Sequence, residues 1–425
     1  MNTKIIRPLT NEIFYLALRS PILAYKKIET LLHQYNTSDK HDKIAILDHI
    51  AKDYHPDERE VTTQIQKMTS TNFIKDCQKI HSSTTPKYAE LFRLIGRQPD
   101  GVRSLVHLRA DLLKFLPEME SHEYGKRMSD NLQDLLATWF TTGLLQVERV
   151  TWQSPFQRIS DYEAVHPIRR WTDLKRRLGP YRRCFAYTHH MMPNDPLVIL
   201  HVALMDDISN SIQTIINRVS KQSDKSDEIQ KEDSSIIKSA IFYSISSTQP
   251  GLKGIELGNS LIKRCVRQLH VEHPQLEKFS SLSPIPEFRQ WLTEELNSSS
   301  TSLMSSETRT WLQSLLTTQS TWHLDEQILA DLRPILMQLC AYYLSKIKHS
   351  RTGYARDPVA NFHLRNGAVI WRLNWLADRS ERGWKQSLSI MVNYRYYSFD
   401  EIDQNSIDYI DKKTVHIDEQ ISQLL

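Results

Sequence analysis

Cysteine is scarce in this sequence. Its 425 residues include four cysteines, Cys77, Cys184, Cys265 and Cys340, which lie far apart and form no CxxC pair. Structural zinc sites and disulfide frameworks need closely spaced or regularly paired cysteines. The spacing therefore argues against both, and it predicts an interior that holds free thiols.

Long apolar runs are missing too. No stretch approaches the ~20 apolar residues that cross a bilayer, and no signal-peptide pattern opens the chain. Lys4 and Arg7 are soon followed by Glu12, which gives a mitochondrial transit peptide little support. The final residues, ISQLL, differ from the peroxisomal address SKL. A net charge of +4 is small for this length and does not favour a nucleic acid partner.

Up to residue 145, apolar residues recur with the spacing of helices, which predicts a helical bundle. Two sets have this spacing: Leu105, Leu108, Leu112 and Phe115, and then Leu132, Leu135, Leu136, Trp139 and Phe140. Pro117 ends the first run, and Ser129 suits the N-cap of the second. No histidine, cysteine or carboxylate cluster here has catalytic or metal-binding spacing. We therefore interpret this half as a bundle for packing or assembly.

Strand patterns alternate with helical patterns in the rest of the chain. Strands are predicted at residues 184–188, 197–205, 239–247, 368–375 and 388–397, which are rich in apolar, β-branched and aromatic side chains. In the fourth of these, Val369, Trp371, Leu373 and Trp375 are expected on one side, because their period is two. The polar residues 220–235 predict a mobile surface loop.

A glycine-containing turn joins the strand at 239–247 to the next predicted helix. Gly251 and Gly254 stand in this turn, with Lys253 before the second glycine. Glycines at such a junction let backbone N–H groups approach an anion, and the helix dipole favours negative charge there. The turn has neither the GxGxxG nor the GK[ST] pattern. Its spacing alone fits a pyrophosphate cradle and an ordinary connection alike.

One short, well-capped helix carries a histidine. Asp357 suits its N-cap and Gly367 suits the residue just past its end, so the helix is predicted at 358–366. Val359, Phe362 and His363 have i, i+3, i+4 spacing and are expected to turn inward together. From the residues alone, this histidine is either a packed core residue or an acid–base group.

Ser283 lies in a stretch that two prolines stiffen. Pro284 and Pro286 follow it and favour an extended backbone, which would hold the hydroxyl group in place. No GxSxG motif surrounds the serine, so it is not the serine of a nucleophile elbow. Both a turn-forming serine and a positioned hydroxyl fit this pattern.

Three motifs, in order along the chain, resemble the malonyl-CoA decarboxylase family. They are GLKGIELG at 251–258, SSLSPIPEF at 280–288 and DPVANFHLRNGA at 357–368. The likeness runs from Thr151 to Tyr397 and is weaker before it. It implies an α+β fold: a helical bundle at 1–145 and an acetyltransferase-like (GNAT-like) mixed-sheet catalytic domain at 146–425 that binds an acyl-CoA.

The resemblance also implies roles for individual residues. Ser283 and His363 match the catalytic serine and histidine of the family, and Glu256 and Tyr396 match residues that assist them. The substrate would contact both catalytic residues and the turn residues Lys253, Gly254, Ile255, Glu256, Leu257, Gly258 and Asn259. An acid that favours the helix dipole and an ordinary strand aromatic are the alternatives for Glu256 and Tyr396. One position departs from the family, since Glu287 stands where glycine is usual.

The reaction that the resemblance implies needs few groups. Loss of CO2 from malonyl-CoA leaves the enolate of acetyl-CoA, so the site must orient the carboxylate, stabilise charge on the carbonyl oxygen and deliver one proton. The thioester is itself the electron sink, so we expect no metal or organic cofactor. Our hypothesis is that Ser283 hydrogen-bonds the substrate carboxylate or His363. A protonated His363, with an ordinary pKa near 6.5, would supply the proton.

Two alternatives remain open. An acyl-CoA-dependent acyltransferase of the same fold would need a site for an acceptor amine, which nothing in the sequence marks. A non-catalytic CoA-binding regulator would have no need of both Ser283 and His363. The family likeness further implies a homo-oligomer, a dimer or tetramer, formed through the helices. It leaves the cytoplasm, mitochondrion and peroxisome as compartments, and the lack of a clear targeting signal favours the cytoplasm.

Overall fold

A computed structural model gives the structure of most of the chain. It describes residues 3–151, 153–154, 175, 177–217, 232–255, 257–258, 261–298, 303–317 and 322–425. Most of the predicted loop at 220–235 lies outside the described residues, as do Glu256 and Asn259. None of the helices in the described ranges is long and apolar enough to cross a bilayer.

The chain forms two compact units. The first comprises Met1–Gln146, Thr188–Leu197 and Ser247–Leu257. The second comprises Val147–Tyr187, Val198–Ser246 and Gly258–Leu425. The functional division at 145/146 stays a prediction.

Eight α-helices are described in the first unit. They are α1 Thr3–Arg19, α2 Pro21–Thr37, α3 Lys40–Asp53, α4 Glu58–Gln66, α5 Phe73–Thr84, α6 Lys87–Gly96, α7 Gly101–Phe115 and α8 His122–Trp139. The predicted apolar face of α7 is buried along its whole length. The prediction of Ser129 as an N-cap is wrong, because α8 already begins at His122 and Ser129 is buried within it. Glu123, Lys126 and Arg127 are good helix formers, and they extend the helix toward its N-terminus.

The second unit contains a seven-stranded mixed sheet with the order β1-β2-β3-β4-β5-β7-β6. Its strands are β1 Gln146–Arg149, β2 Arg182–Thr188, β3 Val198–Met205, β4 Ser239–Ser247, β5 Lys278–Ser281, β6 Val369–Asn374 and β7 Met391–Tyr396. β2 and β3 pair antiparallel and β4 and β5 pair parallel, while β7 is antiparallel to both β5 and β6. The predicted α+β class is confirmed. The GNAT-like part of that prediction rests on the family resemblance.

Nine α-helices are described in the second unit. They are α9 Ile212–Asn217, α10 Leu261–Glu272, α11 Phe288–Asn297, α12 Ser306–Thr317, α13 Glu326–Lys346, α14 Pro358–Arg365, α15 Glu381–Ser387, α16 Phe399–Lys412 and α17 Glu419–Ser422. Among these, α14 was predicted with its caps. It lies between α13 and β6 in the chain and carries His363.

The last two strands differ from their predictions in ways that local geometry explains. β7 is shorter than 388–397, because Leu388 and Ser389 have positive φ angles of 51° and 68° and cannot belong to a strand. In β6 the register shifts between Ile370 and Arg372, so a bulge breaks the period of two. Ile370 is consequently buried, and the expected single-sided face of Val369, Trp371, Leu373 and Trp375 is wrong.

Candidate active site

Helix α14 is built as its sequence predicts. The Asp357 side chain accepts hydrogen bonds from the N–H groups of Val359 and Ala360, at 3.0 and 2.9 Å. Pro358 takes the first helical position, where no N–H is needed. Gly367 has φ +78° just past the helix end. These caps fix where α14 begins and ends, and hence the position of the His363 side chain within the second unit.

The buried face of α14 is rotated from the predicted one. Ala360, His363 and Leu364 are buried, whereas Val359 and Phe362 are only half-buried. The prediction that His363 turns inward is confirmed, but the prediction of Val359 and Phe362 as its buried partners is wrong. The pattern i, i+3, i+4 starting at Ala360 has the same period, and alanine was too small to mark the face from sequence.

Ser283 is held by backbone pairing after the end of β5. Its N–H donates to the carbonyl of Val392 at 2.9 Å, and the N–H of Val392 donates back to the carbonyl of Ser283 at 3.0 Å. Leu282 and Ile285 on either side are fully buried. The serine hydroxyl therefore has a fixed starting point, as the two prolines predicted.

Ser283, His363 and Tyr396 form one hydrogen-bonded chain inside the second unit. Ser283 Oγ lies 2.8 Å from His363 Nε2, and His363 Nδ1 lies 2.7 Å from Tyr396 Oη. Ser283 Oγ also donates to Ser281 Oγ at 2.8 Å. All four side chains are buried. Residues 80 positions apart in sequence, Ser283 and His363, are thus in direct contact.

The hydrogen bonds indicate which imidazole nitrogen carries the proton. Burial raises the pKa of Tyr396 well above its ordinary value, so its hydroxyl keeps its proton. It can then donate to His363 Nδ1, which leaves the proton of a neutral imidazole on Nε2. Nε2–H donates to Ser283 Oγ, whose own proton goes to Ser281. We infer this tautomer from the donors and acceptors.

The pKa of His363 differs from the ordinary value that the sequence suggested. It is 2% exposed, and burial lowers its pKa from 6.5 to about 3. Within the described residues, no carboxylate lies within ion-pair distance of it to offset the loss of water. Burial therefore favours the neutral imidazole at neutral pH, whereas the sequence suggested an ordinary pKa near 6.5.

Two residues of β7 that sequence reasoning missed complete the surroundings of the histidine. The ring of Tyr394 stacks on the His363 ring, with centroids 4.4 Å apart and planes at 17°. The Tyr394 N–H donates to Ser281 Oγ at 3.3 Å, and the Asn393 side-chain amide donates to the carbonyl of Ser281 at 2.7 Å. A signal existed, because Tyr394 and Tyr396 are two residues apart and must share a face of the strand.

The Asp357 cap is itself unusual. Burial raises the pKa of this carboxyl to about 7, with a smaller contribution from the charge of Glu287, while backbone N–H groups oppose the rise. Glu287 is half-buried at the N-cap position of α11. Glu287 therefore acts electrostatically on the N-cap residue of the helix that carries His363.

The predicted acyl-CoA turn is described in part. Lys253 and Gly254 are exposed, Ile255 is half-buried and Leu257 is buried, all within the first unit. Gly258 belongs to the second unit, where a side chain at this position would come within 2.3 Å of the Phe362 ring. Glu256 and Asn259 are outside the described residues, so their roles stay predictions.

Tyr396 provides the first test of the chain of hydrogen bonds. For the decarboxylation that the family resemblance implies, we expect Tyr396→Phe to lower turnover about ten- to hundredfold. The Nδ1 atom of His363 loses its donor, and the imidazole tautomer is no longer fixed. The phenyl ring keeps the edge contact with Phe242, so thermal unfolding should change little. Tyr397→Phe is the matched control, because Tyr397 is the exposed next residue. Equal activities of the two variants would contradict the role of the hydroxyl.

Comparisons with known proteins cover nearly the whole chain. A model of the malonyl-CoA decarboxylase C-terminal domain matches residues 143–425, and a model of the N-terminal domain matches residues 54–140. The mitochondrial malonyl-CoA decarboxylase of Anser anser anser is 47% identical in an alignment of 358 residues that covers 79% of this chain and 69% of that protein. The Rattus norvegicus protein of the same name is 44% identical in an alignment of 368 residues that covers 82% of this chain and 73% of the rat protein.

Solved structures agree with these matches. The crystal structure of malonyl-CoA decarboxylase from Rhodopseudomonas palustris has a TM-score of 0.90 and 32% identity, and it covers 100% of both chains. That from Agrobacterium vitis has a TM-score of 0.85 and 30% identity, and it covers 99% of both chains. The whole length of the chain, including the helical part where the motifs were weak, thus takes part in the likeness.

Proposed function

Because the chain belongs to the malonyl-CoA decarboxylase family, we propose that Ser283, His363 and Tyr396 carry out the decarboxylation of malonyl-CoA that it catalyses. The reaction is that of a carboxy-lyase: the bond between the carboxylate and C2 breaks, CO2 leaves, and a proton adds to C2 to give acetyl-CoA. The observation that carries the assignment is the buried chain from Ser281 through Ser283 and His363 to Tyr396.

Ser283 is suited to hold the reacting end of the substrate. Its hydroxyl can turn from Ser281 toward a substrate oxygen while its backbone stays paired with Val392. A donor fixed in a water-poor site stabilises charge on a carboxylate or enolate oxygen better than a mobile one. We assign Ser283 this hydrogen bond and assign the proton transfer to its partner, His363.

His363 must gain a proton before it can give one. Decarboxylation consumes one proton per turnover, and burial favours the neutral form of the His363 imidazole. A malonyl carboxylate a few ångströms away favours the imidazolium, because an opposite charge raises the pKa of a histidine. The carboxylate of the substrate thus favours protonation of His363, the residue that later donates the proton. After CO2 leaves, the imidazolium protonates C2 and returns to the neutral form that burial favours.

Protonation of His363 next to a bound carboxylate predicts that the protein takes up protons when it binds a negatively charged substrate analogue. An analogue of malonyl-CoA with a sulfonate in place of the carboxylate keeps the negative charge and cannot lose CO2. At pH 5, we expect the protein to take up a measurable fraction of a proton with this analogue, because an opposite charge nearby raises the pKa of His363 from about 3 by about 1 to 3. Calorimetry in buffers of different ionisation enthalpy measures the uptake.

Two controls isolate His363 in this measurement. Acetyl-CoA lacks the negative charge of the malonyl carboxylate and should bind without proton uptake. The variant His363→Gln should bind the sulfonate analogue without proton uptake. The second control matters because Asp357 also has a pKa near neutrality. Uptake that survives in His363→Gln would assign the proton to another group.

The activity itself is tested with malonyl-CoA alone. Purified protein should form acetyl-CoA and CO2 without any acceptor. Product that appears only when an acceptor amine is added would favour the acyltransferase. Binding without product would favour the regulator.

The substrate-binding segment extends the proposal. We assign the residues from 253 to 259, Glu256 and Asn259 among them, to the CoA part of the substrate, since they carry a family motif and lie between a strand and a helix. Glu256 retains its proposed catalytic assistance. We also propose a homo-oligomer formed through the helices, which a monomer in sedimentation at micromolar concentration would refute.

The compartment is a separate proposal. The names of the goose and rat relatives include the word mitochondrial, and we propose the mitochondrion for this chain as well, in place of the cytoplasm that the sequence favoured. Fractionation of cells that express the tagged chain tests it.

A further inference from the structure

A buried arginine lies directly behind the turn that we assign to CoA. Arg109, on α7, is 2% exposed. One of its terminal nitrogens, Nη1, donates to the carbonyls of Gly251 at 2.6 Å and Lys253 at 2.8 Å. Its Nε donates to the carbonyl of Ser129 at 3.3 Å. Helix α7 and the turn belong to the same compact unit, although 142 residues separate Arg109 from Gly251.

Gln133 on α8 extends this support. It accepts from Arg109 Nη2 at 2.6 Å, and its own amide donates to the carbonyl of Gly254 at 3.3 Å. Three carbonyls of the turn are therefore held by two side chains of the helical bundle.

The turn also fits closely against these helices. A Cβ atom at Gly251 would lie 1.9 Å from the carbonyl oxygen of Val106, so no larger residue can approach α7 in this way. Gly254 has φ +86°, and a Cβ there would come within 3.1 Å of the Gln133 amide. The glycines let the turn lie on the helices, where Arg109 and Gln133 reach its carbonyls.

Arg109 forms no hydrogen bond to a carboxylate among the described residues. Within the described part of the chain, its hydrogen-bond acceptors are neutral carbonyl and amide oxygens. Burial lowers the pKa of the guanidinium and the charge of Asp130 opposes the change, but arginine stays protonated in proteins. A buried cation without an anionic partner is costly. An anion bound at the turn would offset that cost.

We propose that Arg109, supported by Gln133, is a positioning residue for the CoA diphosphate: it fixes the shape of the turn and supplies the positive charge behind it. This inference rests on the proposed assignment of the turn to CoA. It gives the helical bundle a part in substrate binding, whereas its sequence indicated only packing or assembly.

Two substrates separate this role from a general effect on folding. Malonyl-CoA carries the diphosphate, and malonyl-pantetheine carries the same reacting group without it. For Arg109→Met we expect the KM for malonyl-CoA to rise about ten- to hundredfold, because the turn loses the hydrogen bonds to its carbonyls and the positive charge next to it. Its kcat should stay within about threefold, and kcat/KM for malonyl-pantetheine should change less than about threefold.

Three further variants support the measurement. Arg109→Lys keeps the charge without the forked geometry, so it should recover part of the affinity for malonyl-CoA. Arg127→Met is the matched control, because Arg127 is an exposed arginine on the same pair of helices. Gln133→Leu removes only the support of Gly254 and should raise the KM by less than Arg109→Met does. It serves as the test should Arg109→Met fail to fold, as judged by circular dichroism.

The outcomes are distinguishable. An equal loss for both substrates, or an unchanged KM for malonyl-CoA, would overturn the role of Arg109. If the unsubstituted protein already used malonyl-pantetheine as well as malonyl-CoA, the turn would not bind the diphosphate at all. That result would refute the assignment of the turn, whatever the variants do, and leave the assignments of Ser283 and His363 untouched.

Discussion

Replacement of His363 by alanine should lower the turnover of malonyl-CoA about a hundred- to ten-thousandfold. The histidine is the proposed proton donor, and general acid catalysis contributes rate factors of about this size. It is the only imidazole in contact with both Ser283 and Tyr396 among the described residues, so no neighbour can replace it. The KM should change much less, because we assign the CoA part of the substrate to the turn at 253–259 and not to His363.

The measurement is a steady-state assay of acetyl-CoA, with CoA binding measured separately by calorimetry. Since the side chain is buried, circular dichroism must show that the variant folds, and His363→Gln offers a second variant that leaves less empty space. His122→Ala is the control, an exposed histidine in the helical bundle. Turnover within about threefold of the unsubstituted protein would refute proton delivery by His363.

Replacement of Ser283 by alanine should lower turnover about a hundred- to thousandfold, which is typical for removal of one donor that stabilises a developing oxyanion. The pairing between Ser283 and Val392 involves only backbone atoms. The variant should therefore keep this pairing. The imidazole Nε2 would lose its acceptor, and the substrate would lose its donor. Both losses act in the transition state, so kcat should fall more than KM rises.

A matched control lies three residues away. Ser280 is also a buried serine, on β5, and its hydroxyl donates to the carbonyls of Ser281 and Tyr394 without touching His363. Ser280→Ala removes the same kind of hydroxyl group from the neighbouring strand β5 and should keep turnover within about threefold. If both serine variants lost activity equally, the loss would reflect disturbed packing of β5, and the specific role of Ser283 would fall.

Local sequence patterns were sufficient for the elements that carry the site. Asp357, Pro358 and Gly367 each occupy the cap position that their chemistry favours. The strand predictions at 184–188, 197–205 and 239–247 are confirmed, and these strands are buried on both faces, so that apolar side chains occur at consecutive positions in them. Predictions failed where tertiary packing overrode the local period, at the bulge in β6 and on the buried face of α14.

The contacts between distant residues could not be obtained from local patterns. Nothing in the spacing of Ser283 and His363 states that they meet, and only the family resemblance joined them. The depressed pKa of His363 depends on its complete removal from water, which only the packed structure shows. Arg109 left a faint signal, since it lies four residues after Leu105 on the buried face of α7. An arginine on an apolar helix face needs a partner, but the sequence does not say which.

The position of β7 has a consequence for how the protein acquires its activity. β7 lies between β5 and β6 in the sheet, yet it follows both in the chain. It brings Val392 to Ser283, and it brings Tyr394 and Tyr396 to His363. Such pairing between distant segments forms slowly, because long loops must close first. Without β7, the ring of His363 would be in contact with water, and burial would lower its pKa less. The contacts around Ser283 and His363 can therefore be completed only after the chain has been synthesised past Tyr396.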